Sequence, residues 1–231
     1  MKKLKPVKVT SNVARYRIKE MASIDTAFVE ALDWSADVPW LVIDFKAQAL
    51  RPGKMPRLDI SRKYNLMLGC IEGKVLKVPA PCPEAGITAR PPKSKAEVKK
   101  VLRAAFLQYV KSLGKRLGPA FEKNYRQFEN SMVKSAEALV ILKDGKPCGL
   151  FAFVPHTDVY GRKFCHITWH NFFSPLTPGQ RRSAQRQAVL WLKKNAKQRL
   201  SVALDLYLKE YYEFFAGLGF SVSSLWVERR A

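Results

Sequence analysis

The chain has 231 residues, 47% of them hydrophobic, enough to bury a sizeable core and to argue against a disordered or fibrous protein. Forty-one Lys and Arg stand against nineteen Asp and Glu, a net charge of +22 that favours polyanionic partners. Four cysteines, Cys70, Cys82, Cys148 and Cys165, lack CxxC or metal-ligand spacing, which argues against a disulfide framework and a cysteine metal site. No apolar run approaches the roughly 18 residues of a membrane helix, and none follows the basic start MKKLKPVKVT. The expectation is therefore a cytoplasmic chain with neither signal peptide nor membrane span.

In chain order, IDTAFVEALDW predicts a short helix opened by Asp25. Val38 to Phe45, VPWLVIDF, reads as a buried strand. Leu66 to Pro79 reads as a hairpin turning at Glu72-Gly73. A proline-rich break near residues 78–93 can continue neither a helix nor a central strand. It divides the chain into an N-terminal α+β extension, residues 1–80, and a domain over residues 86–231.

Past the break the pattern sharpens. GITARP is a short strand, and Ser94 with Glu97 three residues on forms a capping box for the next helix. Val98, Val101, Leu102, Ala105, Phe106 and Tyr109 give that helix one apolar face. Phe121, Tyr125, Phe128 and Met132 form a second helical stripe, read as core. Ala138 to Pro155 is a hairpin turning at Asp144-Gly145, where a tight turn needs φ above zero. Lys163 to Phe173 is a strand, Gly179 to Ala196 a helix and RLSVALDLYL a strand. EYYEFFAGLGF is a helix stopped by glycine, and FSVSSLWVER closes the chain as a strand or a pair of strands. The class is mixed α/β in one sheet.

Charge is unevenly placed. No acid lies between Asp158 and Asp205, a span holding Arg162, Lys163, Arg181, Arg182, Arg186, Lys193, Lys194, Lys197 and Arg199. A second basic run covers Lys93 to Arg126, opposed only by Glu97 and Glu122. Such clustering is the footprint of nucleic-acid or ribonucleoprotein binding, with Arg162, Lys163, Arg186, Lys193, Lys194 and Lys197 as candidate contacts. By strand alternation His166, Thr168 and His170 share a face. The two histidines would be roughly 13 Å apart, too far to share one metal. Asp205 is the one acid in an apolar strand, where an ionised carboxylate is costly unless paired or used.

The order of elements from residue 86 resembles the GNAT (Gcn5-related N-acyltransferase) superfamily, a mixed central sheet with flanking helices. The resemblance rests on ITARP, the Asp144-Gly145 hairpin, the strand-loop-helix from Lys163 to Ala196, and FFAGLGF. It implies acyl transfer from acetyl-coenzyme A, or another acyl-coenzyme A, to an amine. It further implies that the start of the helix after the fourth strand holds the pyrophosphate, since helix N-termini attract phosphate. The stretch QRRSAQ then supplies Gln180, Arg181, Arg182, Ser183 and Ala184. The family motif is Gln or Arg, two residues, Gly, one residue, then Gly or Ala. Here Ser183 replaces the first glycine and Gln185 the final small residue. The family's acidic tyrosine falls at Phe215, which has no hydroxyl, and Tyr211 and Tyr212 sit one turn earlier as substitutes. His170 is the candidate base, with Asp205 orienting a histidine or holding the acceptor.

The charge then implies a nucleic acid or nucleic-acid-bound acceptor. Phage Mom proteins, GNAT-related enzymes that modify adenine in DNA, are similar in kind, and a phage origin would place the chain in the host cytoplasm. Two alternatives stay open. One is a catalytically degenerate GNAT-like nucleic-acid-binding module. The other is an acyltransferase with a different donor, such as aminoacyl-tRNA.

Overall fold

A computed structural model describes residues 6–9, 13–19, 26–32, 34, 38, 40–49, 64–72, 76–81, 86–113, 125, 129–134, 136–158, 160–205 and 209–229. The elements in order are β1 (Lys8–Val9), β2 (Val13–Arg17), α1 (Thr26–Ala31), β3 (Trp40–Ala49), β4 (Tyr64–Ile71), β5 (Ile87–Arg90) and α2 (Lys95–Leu113). There follow α3 (129–134), β6 (Glu137–Lys143), β7 (Lys146–Thr157), β8 (Lys163–Phe172), α4 (Pro178–Asn195), β9 (Leu200–Asp205), α5 (Lys209–Gly217) and β10 (Ser221–Arg229). They group into two compact units, residues 1–75 with 203–231, and residues 76–202. Both units combine strands and helices, and the mixed α/β class expected from the sequence holds. Asp25, Cys82, Phe121 and Phe128 lie outside the described residues.

In the first unit the strands run β1-β2-β3-β10-β4. Only β2 and β3 are parallel. The C-terminal β10 therefore sits between two N-terminal strands, with Leu225 opposite both Ile43 and Leu68. All three are fully buried. The hairpin expected over Leu66 to Pro79 does not form. Its first half is β4, paired with β10, whereas residues 76–81 are not strand. Apolar alternation identified a strand without identifying its partner, about 150 residues away.

In the second unit β5-β6-β7-β8 is an antiparallel meander, and β9 joins β8 in parallel. The turn between β6 and β7 has φ of 50° at Asp144 and 76° at Gly145, the geometry the Asp-Gly pair predicts. Helix α2 covers one face, packing Val98, Val101, Leu102, Ala105 and Phe106 on Ala138, Val140, Leu150, Ala152 and Trp169. Ser94 accepts from the N–H of Glu97 at 3.1 Å. The Glu97 carboxylate accepts from the N–H of Lys93 instead of Ser94 and pairs with Arg90 at 2.7 Å. That Arg90 hydrogen bond holds the Glu97 carboxyl down at about 2. Helix α4 covers the other face, where Trp191 meets Phe153 and Gln187 donates to the carbonyl of Ile87.

Cys70, Cys148 and Cys165 are buried free thiols, and burial pushes Cys148 up to about 11. No described helix is long and apolar enough to cross a membrane.

Candidate active site

The start of α4 is built by a capping box. Thr177 Oγ1 accepts from the N–H of Gln180 at 3.1 Å, and Gln180 Oε1 accepts from the N–H of Thr177 at 3.1 Å. Pro178 has no N–H to offer, and the N–H of Arg181 already bonds the carbonyl of Thr177. The N–H of Gly179 is the N-terminal donor that the capping box does not use. The helix begins two residues ahead of the motif-like QRRSAQ. Ser183 and Ala184 are consequently buried within it, and their N–H groups belong to the helix ladder. Gln180 is a cap residue, Arg181 lies over the Phe172 ring at 6.0 Å, and Arg182 is exposed. Thr177 was not singled out in the sequence, although Thr-Pro-Gly-Gln has the spacing of a capping box.

Strand β8 carries a β-bulge that changes the expected histidine arrangement. Ala152 pairs with Trp169 while Phe153 pairs with Ile167, leaving Thr168 as the extra residue. Thr168 donates its hydroxyl to the carbonyl of Ala152 at 3.3 Å. One inserted residue reverses the alternation. His166, opposite Val154, faces the α2 side, whereas His170, opposite Phe151, faces the α4 side. The shared face expected for the pair is thus overturned. The parallel ladder to β9 covers Cys165–Ile167 opposite Leu200–Val202, and the bulge follows it immediately.

His170 is brought to the same face and end of the second unit as Phe172 and Arg181. Phe172 packs against Phe151 at 5.8 Å. Burial lowers His170 to about 4, so its ring is neutral at physiological pH. His166 lies 3.0 Å from Ser201 Oγ and packs its ring near His156. It too is lowered to about 4, by burial and then by His156.

The remaining candidates belong to the first unit. Helix α5 ends in a Schellman turn, in which Phe220 N–H bonds Phe215 O and Gly219 N–H bonds Ala216 O. Gly219 takes φ of 90°, and the Phe215 and Phe220 rings meet at 5.1 Å. Phe215 is fully buried, and Tyr212, three residues earlier, shares its face. The Tyr212 hydroxyl is buried without a hydrogen-bond partner among the described residues. Burial, with Cys70 and Glu213 nearby, raises its pKa. Tyr211 is half-buried. Asp205 ends β9, and its side chain lies outside the described residues.

The basic candidates separate. Arg186 donates to the carbonyl of Pro79, so it pins the proline-rich segment to α4. Arg162 pairs with Asp158 at 2.6 Å and lies over the Tyr160 and Phe164 rings. Lys163, Lys193, Lys194 and Lys197 are exposed, at the start of β8 and around the end of α4. Among the described residues no three His, Cys, Asp or Glu gather as a metal would require.

No family model matches the chain, and no curated protein matches it. Solved structures do match. A functionally unknown conserved protein from Staphylococcus epidermidis ATCC 12228 is 11% identical with a TM-score of 0.51, over 98% of this chain and 94% of that one. A GCN5-related N-acetyltransferase from Kribbella flavida is 15% identical with a TM-score of 0.48, over 94% of this chain and 82% of that one. At such identities the likeness is one of fold.

Proposed function

We propose that the chain is a GNAT-like acyltransferase whose acceptor is an amine of a nucleic acid or of a protein bound to one. The observation that carries the reading is the behaviour of the fourth strand after the break. β8 runs parallel to β9 for three residues, bulges at Thr168 and leads directly to the start of α4. His170 and Arg181 reach that end of the unit on one face.

Acyl-coenzyme A would supply an activated thioester. The residues present fit its diphosphate by charge more than by backbone. The Gly179 N–H, the helix dipole and the Arg181 and Arg182 guanidinium groups are the donors at this end of α4. Ser183 and Ala184 are packing residues in this reading. His170, held neutral by burial, would accept a proton from the acceptor amine as the new C–N bond makes that nitrogen acidic. In the first unit Tyr212, its pKa raised by burial, keeps its proton at neutral pH, the form a general acid needs. Asp205 and Tyr211, in the same unit, are proposed by residue type as the carboxylate for an acceptor amine and the alternate acid.

The test is transfer from radiolabelled acetyl-coenzyme A to duplex DNA, tRNA and ribosomal protein, with calorimetry of donor binding. Transfer that His170→Gln lowers at least tenfold supports the reading. Absence of both transfer and donor binding sinks it. A second reading, a GNAT-like nucleic-acid-binding module, is favoured by the capping box, which occupies donors that a phosphate would need. It predicts duplex binding that is indifferent to acyl donors.

A further inference from the structure

The second unit gathers five of its exposed cations at one end of its sheet. The N–H of Cys165 bonds the carbonyl of Arg199, which sets the starts of β8 and β9 side by side, about 4.8 Å apart. Lys163 opens β8, and Lys197 and Arg199 precede β9. Lys193 and Lys194 occupy the last turn of α4, which delivers the chain to this point. All five are exposed.

Acids are scarce here. Asp158 is occupied by the Arg162 guanidinium and by the N–H groups of Tyr160 and Arg162. Glu137, in β6, is two strands from β8 at the level of Ile167. The 18 residues of α4, at about 1.5 Å each, put this cluster roughly 27 Å from the helix start. The cations therefore do not flank the candidate donor site.

We propose that Lys163, Lys193, Lys194, Lys197 and Arg199 form a docking surface for the phosphate backbone of duplex nucleic acid, at the end of the second unit opposite the start of α4. Single-strand binders add aromatic platforms for unstacked bases. Among the described residues the exposed large hydrophobic side chains are Val7, Leu107 and Leu190, none of them aromatic. Charge with no fully exposed Phe, Tyr or Trp among the described residues suits a backbone whose bases stay paired. The proposal rests on the nucleic-acid half of the function above and is independent of the donor.

The experiment is fluorescence anisotropy of the full chain with a labelled 20-base-pair duplex, from 50 to 200 mM KCl. Five cations on phosphate predict a fall in affinity of roughly five hundredfold across that range. Replacing Lys163, Lys193, Lys194 and Lys197 by Gln should reduce the log-log salt slope by about three to four. A control that removes equal charge elsewhere, Lys100→Gln, Arg103→Gln, Lys111→Gln and Lys146→Gln, should keep the slope. Equal losses in the two variants would mean diffuse attraction and overturn the surface. Tighter binding of single-stranded DNA, or of phosphatidylserine vesicles, would overturn its assignment to duplex. Acetyl-coenzyme A calorimetry on the same samples separates the two readings: donor binding can fail while duplex docking holds, or the reverse.

Discussion

At the residue scale, the two glycines of AGLGF have opposite roles. Gly219 sits at φ of 90° in the Schellman turn, where an L side chain costs about 1–2 kcal/mol. Gly217 is the last residue of α5, and a Cβ there would meet nothing within 4 Å. Gly219→Ala should therefore lower stability by about 1–2 kcal/mol, and Gly217→Ala should raise it by up to about 1 kcal/mol through lost chain entropy. Urea unfolding followed by circular dichroism measures both. Tyr212 allows a different separation. Its buried hydroxyl has no hydrogen-bond partner among the described residues, a situation that costs about 1–3 kcal/mol. Tyr212→Phe is expected to hold or raise the melting temperature while lowering acyl transfer at least tenfold. Unchanged transfer in a stabilised variant would make Tyr212 a packing residue and pass the acid role to Tyr211.

At the element scale, Thr177→Ala removes the hydroxyl that accepts from Gln180 N–H. The expected cost is about 1 kcal/mol, with acetyl-coenzyme A affinity unchanged. A tenfold fall in that affinity would instead put the Thr177 hydroxyl on the ligand. The same helix bears on what the sequence could convey. Local chemistry was legible: Asp144-Gly145 announced its turn, Ser94 its helix and Gly219 its stop, because each effect spans only a few residues. Pairing at a distance was not. Nothing in LMLGCIEG indicates that β4 will lie beside β10, and nothing in FCHITWHNFF marks Thr168 as an extra residue. That single insertion places His166 and His170 on opposite faces. The site was legible as residue types and much less as positions. Gln180 is present where a phosphate motif would begin, but Thr177 claims it for the cap. Arg186 carries the expected charge, but the carbonyl of Pro79 takes its guanidinium.

For the whole molecule, +22 of net charge opposes compaction through self-repulsion, and acid makes that worse. His166 and His170 are both lowered to about 4 in the folded chain, against about 6.5 when unfolded. Between those values the unfolded state binds more protons, so stability falls as pH drops. Each histidine contributes a slope of at most about 1.4 kcal/mol per pH unit, and the pair about 2.7. Stability should thus be level above pH 7 and decline steeply from about 6.5 toward 4. Below that, loss of the Arg90–Glu97 pair extends the decline as Glu97 protonates between about 4.5 and 2. Urea midpoints at pH 7.5, 6.0 and 5.0 measure the slope. His166→Asn should roughly halve it, since Asn can keep the contact with Ser201 without titrating. An unchanged slope in that variant would place the acid sensitivity in the charge of the whole chain and not in its buried histidines. Raising the salt distinguishes the two sources again, because screening weakens repulsion between exposed cations far more than it alters the desolvation of a buried ring.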